Sequence, residues 1–409
     1  MSHEEYVWVD APDFRQESVM QNPIPHYHRM LERRKPFYDP QDQVWYVFTW
    51  EGVRKVLRDK SSSVNRFTGY LERMPPEKQV VLRPFFTNLG RWMTFIDDAE
   101  HKRLRRPVQR AFDSKILVQW EAWLERCCDE LVELALQKDA FECMSAIAEP
   151  LPLLLICEML GIPDSDRKTI KEHYAAIVAF FDRSTDPVIA KNALQSEAIL
   201  RSYMQQRLVH ARSSSTATLM TLLARLQEEE VDLSDEDIAA NAILIVGAGH
   251  ETTTSLLSTA LWYIFQNREW IARVANDEAF RNGIIEEALR LQPPLQRTSR
   301  ITRNGIEVDG VQIPAGERIC LLFGAANRDP HAFENPDEVD PSRTTQHHSF
   351  SGGVHYCVGA KVARMEASIL LKKLCAKAEE YHLQEEEIRW LNNMTFRTME
   401  ALTFSKRES

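Results

Sequence analysis

The chain has 409 residues, of which 44% are hydrophobic, and its formal net charge is −10. This composition allows a large core with an internal cavity, and the negative charge argues against nucleic acid as a partner. Helical periodicity continues through most of the length, and no Pro/Gly/Ser-rich linker interrupts it. We therefore expect a single domain over residues 1–409. The acidic start lacks an apolar stretch behind it, which predicts a cytoplasmic protein without a signal peptide or membrane anchor.

Cysteine usage indicates free thiols. The seven cysteines, at positions 127, 128, 143, 157, 320, 357 and 375, are odd in number and form no CxxC pair. This pattern is typical of a reducing compartment.

The first third of the chain is predicted to contain a small β region near 35–50 between helices at 24–34 and 51–58. From Ser61 to Phe95 the helical pattern breaks down around three prolines. The aromatic and Met content of this segment, which includes Trp92 and Met93, favours a pocket lid over disorder.

Basic residues dominate the next predicted helix. His101 and Arg105 lie four residues apart and so share one helical face. They form either a solvated basic face or a clamp for an anionic group. The adjacent Lys102, Arg103, Arg106 and Arg110 could form a docking surface for an acidic partner.

Further helices are expected at about 115–137, 141–160, 164–182, 187–211 and 216–228. The mixed aromatic and charged residues of 164–211 suit a mobile pair of helices over a pocket, although core helices would show the same pattern.

The longest predicted helix runs from Ser234 to about Phe265. Ser234 and Asp237 form a capping box, and apolar residues surround the helix on every side, so it is expected to be buried. Gly247, Gly249 and Glu251 in its middle break the rules for a buried helix, which indicates a functional site. The alternative is a Ser/Thr-rich helix whose hydroxyl groups bond to its own backbone.

A short helix at 283–291 places Glu287 and Arg290 on one face, where a surface ion pair would contribute little. Strands are predicted within 298–322 and 388–404. Between these two regions, a turn-rich segment ends at Arg343.

Cys357 lies in a glycine-rich loop that is followed at once by a predicted helix ending near Ala378. Glycines let backbone amides approach the sulfur, and the helix N-terminus favours a thiolate. We interpret Cys357 as an axial ligand to haem iron. The alternatives are a buried apolar thiol and a zinc site, since His347, His348 and His355 lie nearby, although zinc-type spacings are absent.

The sequence Phe350-x-x-Gly353-x-His355-x-Cys357-x-Gly359 resembles the haem-binding loop of the cytochromes P-450, the haem-thiolate monooxygenases. Ser351 stands where these proteins often have Gly, and His348 where many have Leu. The resemblance also covers His-x-x-x-Arg, an acid–alcohol pair, Glu-x-x-Arg and the Arg343 segment, where Val339 replaces the usual Phe.

The resemblance implies a mainly α fold with a small β region and a long buried central helix over the haem. It implies the following roles for the residues of this chain. The axial ligand would be Cys357, the propionate contacts His101, Arg105, Arg300 and His355, and further haem contacts Phe350 and Gly359. The proton-delivering pair would be Glu251 and Thr252, and the buried ion network Glu287, Arg290 and Arg343. Substrate contacts would be Trp92, Met93, Leu244, Gly247, Ala248 and Leu295.

The implied function is dioxygen-dependent oxidation of an apolar small molecule by a monomer containing haem b. Electrons would come from NAD(P)H through a separate ferredoxin and ferredoxin reductase, with Lys361 and Arg364 adding to the docking face. The alternatives are a haem-thiolate binding or gas-sensing protein and a peroxide-driven peroxygenase.

Overall fold

The computed structural model describes residues 3–72, 74–112, 114–182, 186–229, 232–384 and 388–407. α-Helices make up most of these residues. In chain order they are α1 (Glu17–Gln21), α2 (Ile24–Arg33), α3 (Trp50–Arg58), α4 (Phe67–Glu72), α5 (Pro76–Leu89), α6 (Asp98–Ala111), α7 (Ser114–Leu136), α8 (Pro150–Leu160), α9 (Arg167–Asp182), α10 (Pro187–Ser213), α11 (Leu219–Glu228), α12 (Asp235–Gln266), α13 (Arg268–Asn276), α14 (Glu278–Leu291), α15 (Phe323–Ala326) and α16 (Ala360–Lys377).

The strands form three small sheets. In chain order they are β1 (Phe37–Asp39), β2 (Val44–Val47), β3 (Ser62–Ser63), β4 (Ala140–Glu142), β5 (Arg297–Thr302), β6 (Ile306–Val308), β7 (Val311–Ile313), β8 (Arg318–Leu322), β9 (Tyr381–Leu383) and β10 (Thr403–Lys406). The largest sheet has the order β1-β2-β8-β5-β3, and the others are β4-β10-β9 and β6-β7. Strands β3, β4 and β9 lie outside the expected β regions, because two or three residues without a hairpin turn beside them give too short a pattern to recognise.

The chain groups into two compact units. Unit 1 comprises Met1–Ser63, Trp123–Leu151 and Glu251–Ser409, and unit 2 comprises Val64–Ala122 and Pro152–His250. The described strands all belong to unit 1, whose sheet packs Trp45, Val47 and Ile319 against Val53 and Val56 of α3 in one apolar core. The expectation of a single domain stays a prediction.

The segment between Ser61 and Phe95 is largely helical, so the expectation that the helical pattern breaks down there was wrong. Its role as a pocket lid stays a prediction. Leu82, Phe85, Phe86 and Leu89 are all buried on α5, and their spacing of i, i+3, i+4 and i+7 is that of one helical face. Pro76 lies in the first turn of α5, where its missing N–H costs nothing. The prolines therefore concealed a helical pattern that the apolar residues carry.

Helix α12 confirms the predicted capping box. The Ser234 backbone N–H donates to Asp237 Oδ2 (3.2 Å), and the Asp237 N–H donates to Ser234 Oγ (3.1 Å). Helix α14 begins at Glu278, five residues earlier than Gly283. The side chain of Asp277 caps it by accepting from the Phe280 N–H at 3.0 Å.

Candidate haem-thiolate site

Cys357 differs from the other cysteines in its accessibility. All seven lie in the described part of the chain, and Cys357 is exposed whereas the other six are buried. Its backbone N–H donates to the Phe350 carbonyl oxygen at 2.9 Å, which closes the loop that precedes it. Helix α16 begins three residues later, at Ala360. An accessible sulfur just before a helix N-terminus is placed to be a thiolate ligand.

The loop before Cys357 needs unusual backbone angles. Gly353 has φ +63°, and a Cβ there would overlap the carbonyl oxygen of Leu57 at the end of α3, so only glycine fits. Ser351 also has a positive φ, 60°, and its N–H donates to the His348 carbonyl at 2.7 Å. Ser351, which stands where relatives often have Gly, therefore keeps a glycine-like conformation.

His348, the other departure from the family pattern, has an enclosed environment. Its ring lies 5.1 Å from that of Trp50, its Nε2 is 3.0 Å from the Trp50 carbonyl, and its N–H donates to Asn327 Oδ1 at 2.8 Å. Burial lowers the pKa of His348 to about 4, so the ring is neutral at pH 7. This imidazole thus anchors the loop to α3.

Phe350 and Arg364 form the outer support of the loop. The guanidinium of Arg364 lies 4.4 Å from the centre of the Phe350 ring and donates to both carboxylate oxygens of Glu286, at 2.6 and 2.8 Å. Burial would raise the pKa of Glu286, but hydrogen bonds from Arg364 and His347 lower it to about 2. Arg364 is thus held in an ion pair, and its contribution to a docking face stays a prediction.

The remaining predicted contacts of unit 1 lie on strand β5 and beside the cysteine loop. Arg300 on β5 is 6% exposed, and its Nη1 donates to the Ser299 carbonyl at 2.9 Å. His355 ends a 3-10 turn over Gly353–His355, and Gly359 is the N-cap residue of α16. Leu295 pairs with Phe396 in an isolated antiparallel bridge.

Glu287, Arg290 and Arg343 form the expected buried network in unit 1. Arg290 donates to both oxygens of Glu287, at 2.6 and 2.7 Å, and Arg343 Nε lies 3.3 Å from Glu287 Oε1. Arg290 also donates to the carbonyls of Asn327, Pro336 and Glu338, which belong to the turn-rich segment. Glu287 and Arg290 therefore form a buried ion pair that connects α14 to that segment, rather than a surface ion pair.

The middle of helix α12, from Asp237 to Phe265, has one accessible patch. Between Asp237 and Phe265, all of which are described, Ala248 is the only exposed residue. Glu251 and Thr252, one turn further on, are half-buried, whereas Leu244 and Gly247 are buried. Positions 244, 247, 248, 251 and 252 share one helical face. We call these five residues the α12 stripe.

A hydrogen-bond cluster in unit 2 holds Trp92 and Met93 beside the start of α12. Asn241 on α12 accepts from the Met93 N–H at 2.9 Å and donates to the Arg91 carbonyl at 2.9 Å. Arg91 in turn pairs with Asp237 at 2.8 Å. Trp92 and Met93 are both buried, so a predicted pair of substrate contacts is fixed near Leu244 of the α12 stripe.

His101 and Arg105 lie on α6 as predicted. His101 is 2% exposed, and burial together with the charge of Arg105 lowers its pKa to about 4, which makes the imidazole neutral at pH 7. Of the basic neighbours, Arg103 is engaged by Glu100 and Asp237. Lys102, Arg106 and Arg110 are exposed, and no described residue pairs with them.

Sequence reasoning missed an aromatic cluster in unit 2. It links α4, α5, α9 and the 3-10 turn Met93–Phe95, and its rings are Phe67, Phe85, Phe86, Trp92, Phe95, Phe180 and Phe181. Phe85 and Phe86, which are 1% and 5% exposed, lie in this cluster. The helical spacing within α5 was the signal that could have revealed their burial.

The residues present suit a haem group. A single accessible thiol at a helix N-terminus is a soft ligand for haem iron, and the α12 stripe offers an apolar accessible surface next to a carboxylate and a hydroxyl.

Among the described residues, no three His, Cys, Asp or Glu side chains cluster as metal ligands, so the alternative zinc site is not formed there. The described helices include none with the length and hydropathy to span a bilayer.

Comparison with known proteins identifies the class. The family model for cytochrome P450 matches residues 38–385, so the chain belongs to the cytochrome P450 family. It is a haem-dependent monooxygenase of the bacterial type, and the predicted mainly α fold with a small β region is confirmed.

Individual relatives are similar over most of their length. The chain is 30% identical over 364 residues to the biotin biosynthesis cytochrome P450 of Bacillus subtilis, covering 88% of this chain and 89% of that protein. It is 29% identical over 351 residues to the erythromycin C-12 hydroxylase of Saccharopolyspora erythraea, covering 85% of each.

Two solved structures are similar over nearly the whole chain. P450BioI in complex with an acyl carrier protein bearing hexadec-9Z-enoic acid has a TM-score of 0.87 and 26% identity, covering 95% of this chain and 100% of that one. CYP109E1 of Bacillus megaterium in complex with testosterone has a TM-score of 0.85 and 26% identity, covering 96% and 100%.

Proposed function

We propose that the protein binds haem b through the Cys357 thiolate and oxidises an apolar organic small molecule with electrons from separate redox proteins. The observation that carries this proposal is the accessible Cys357 sulfur at the N-terminus of α16. The haem propionates would be bound by Arg300, His355, His101 and Arg105. Further haem contacts, on the side of Cys357, would come from Phe350 and Gly359. When bound, the haem supplies the dioxygen chemistry, and the chain supplies the axial thiolate, the protons and substrate orientation.

The α12 stripe suits proton delivery. Half-buried Glu251 is open to solvent on one side and lies beside buried residues of α12 on the other, so it can exchange protons with solvent. The hydroxyl group of Thr252, one residue further, can donate one hydrogen bond and accept another, so it can pass a proton on. We propose Glu251 as proton donor from solvent and Thr252 as the final hydrogen-bond donor.

The substrate contacts of unit 2 are predominantly apolar. Trp92, Met93, Leu244, Gly247 and Ala248 present no charge, which favours a substrate with an apolar body. The ligands and substrates named for the relatives include erythromycin, testosterone and a carrier-bound fatty acid, and these share little beyond a large apolar part. That Leu295 of unit 1 also contacts the substrate stays a prediction.

We propose a ferredoxin, reduced by an NAD(P)H-dependent ferredoxin reductase, as the electron donor. Lys102, Arg106 and Arg110 support this, because they lie at i, i+4 and i+8 on one exposed face of α6. A row of exposed cations on a protein with net charge −10 attracts an acidic partner locally.

The test is the difference spectrum of the purified, reduced protein with carbon monoxide. A strongly red-shifted Soret band is expected, because it reports thiolate opposite the gas. Cys357→Ser should lose that band, while Cys375→Ser, a buried cysteine on α16, should keep it. A band typical of histidine ligation in the unmodified protein would contradict the proposal.

A further inference from the structure

The ring of Tyr174 on α9 occupies the space that a side chain at position 247 would fill. A Cβ built on Gly247 would overlap the Tyr174 atoms Cζ, Cε1 and Oη. Tyr174 is 8% exposed, and both residues belong to unit 2. The glycine in this buried helix is therefore required by the close approach of a phenol ring.

The position of this contact on α12 gives it a chemical meaning. Gly247 lies on the α12 stripe, next to the exposed Ala248 and one turn before Glu251. The phenol ring therefore lies against Gly247, the residue of the stripe that precedes the exposed Ala248. Tyr174 thus limits the space next to the accessible patch.

The helix that carries this ring, α9, is packed against its neighbours on two sides. Towards the C-terminal end, Phe180 lies 4.9 Å from Phe85, and Phe181 lies 6.1 Å from Trp92, between ring centres. On the face towards α10, His173 Nδ1 is 3.1 Å from Ser196 Oγ. The backbone that carries the phenol is consequently fixed, so the ring can leave Gly247 only by rotation of the Tyr174 side chain.

We propose that Tyr174 determines specificity by occupying the space at Gly247, and that a substrate reaches Ala248 on the α12 stripe by replacing this phenol with a flat ring of its own. This inference rests on the proposed function and names a substrate class for it, apolar molecules with a planar ring. The space that a phenol vacates is flat and ring-sized. An unbranched alkyl chain would fill it incompletely and lose packing contacts.

The test uses two haem ligands, imidazole and 4-phenylimidazole, titrated into the haem-loaded protein and followed by the Soret shift. In Tyr174→Ala the dissociation constant of 4-phenylimidazole should fall roughly tenfold or more, because its phenyl ring gains the vacated space. The dissociation constant of imidazole should change less than about twofold, because it carries no second ring. Tyr174→Phe, which keeps the ring, should match the unmodified protein for both ligands.

Melting temperatures of the same haem-loaded protein test the contact itself. Gly247→Ala should lower the melting temperature by about 3 °C or more, because the new methyl group overlaps the phenol. In the Tyr174→Ala background the same substitution should raise it slightly, since Ala favours helix over Gly. Equal shifts in the two backgrounds would overturn the contact.

The inference and the proposed function can fail separately. If Tyr174→Ala shifts both ligands alike, or neither, the specificity role is wrong even though the carbon monoxide band shows thiolate-ligated haem. If that band is missing in the unmodified protein, the proposed function itself fails.

Discussion

Ser351 carries backbone strain in the loop that leads to Cys357. Its φ of 60° lies in the left-handed region, which disfavours residues with a Cβ. We expect Ser351→Gly to increase the free energy of unfolding by roughly 0.5–1 kcal/mol, measured by denaturant titration. Ser215→Gly, at an exposed loop position without positive φ, should instead be neutral or slightly destabilising. A loss of stability in Ser351→Gly would mean that the hydroxyl group, and not the backbone, matters there.

The hydroxyl group of Thr252 has a testable role in proton delivery. Thr252→Ala should consume reducing equivalents with much less product, with the remainder released as hydrogen peroxide, because the last donor has been removed. The measurement is the ratio of product and peroxide to NAD(P)H consumed. Thr252→Ser retains the hydroxyl and should preserve coupling, and unchanged coupling in Thr252→Ala would show that the proton route is elsewhere.

At the scale of elements, the Glu287–Arg290–Arg343 network joins α14 to the segment before the cysteine loop. Arg290→Ala leaves Glu287 buried with only Arg343 as a cation, so we expect a loss of about 3–5 kcal/mol in the free energy of unfolding and lower haem content. Lys168→Ala removes an exposed ion pair with Glu172 and should cost less than about 1 kcal/mol. Normal stability and haem content in Arg290→Ala would contradict the structural role.

Glu366 on α16 is an acid that burial keeps neutral. It is 3% exposed, burial raises its pKa well above the ordinary value, and its Oε2 has no hydrogen-bond partner among the described residues. Its titratable neighbour Cys128 is also neutral, because burial raises the pKa of that thiol. The folded state therefore retains a proton that the unfolded state releases above about pH 4.5.

It follows that Glu366 lowers stability as the pH rises above that value, by about 1.4 kcal/mol per pH unit until its folded pKa is reached. Glu366→Gln should remove this pH dependence. Its melting temperature should therefore exceed that of the unmodified protein by the largest amount near pH 8. Glu379→Gln, at an exposed position, should leave the pH profile unchanged. Parallel profiles for Glu366→Gln and the unmodified protein would show that the carboxyl group is ionised in the fold.

At the scale of the whole molecule, the exposed cations of α6 stand out against the net charge of −10. Reversing Lys102, Arg106 and Arg110 to Glu should reduce the rate of electron transfer from a ferredoxin that reduces the unmodified protein. The loss should be about tenfold or more at low salt and smaller at high ionic strength, because screening weakens the attraction. The control Lys191→Glu changes an exposed cation on α10. If Lys191→Glu reduces the rate by as much per reversed charge as the triple variant does, net charge alone, and not the α6 face, controls docking.

The sequence by itself determined those features that depend on local spacing. The Cys357 loop, the capping box of Ser234 and Asp237, and the pairing of Glu287 with Arg290 all involve residues close in the chain, whose geometry follows from loop and helix periodicity. The class of protein followed from these same motifs.

Only the tertiary structure decided which side chains meet across the chain. The ring of Tyr174 on Gly247 and the aromatic cluster joining α5 to α9 involve segments separated by many residues, so no local period reveals them. The ion pair between Arg364 and Glu286 likewise depends on how α14 and α16 pack. Long-range packing is set by the shape complementarity of whole elements, and spacing within one segment carries no information about it.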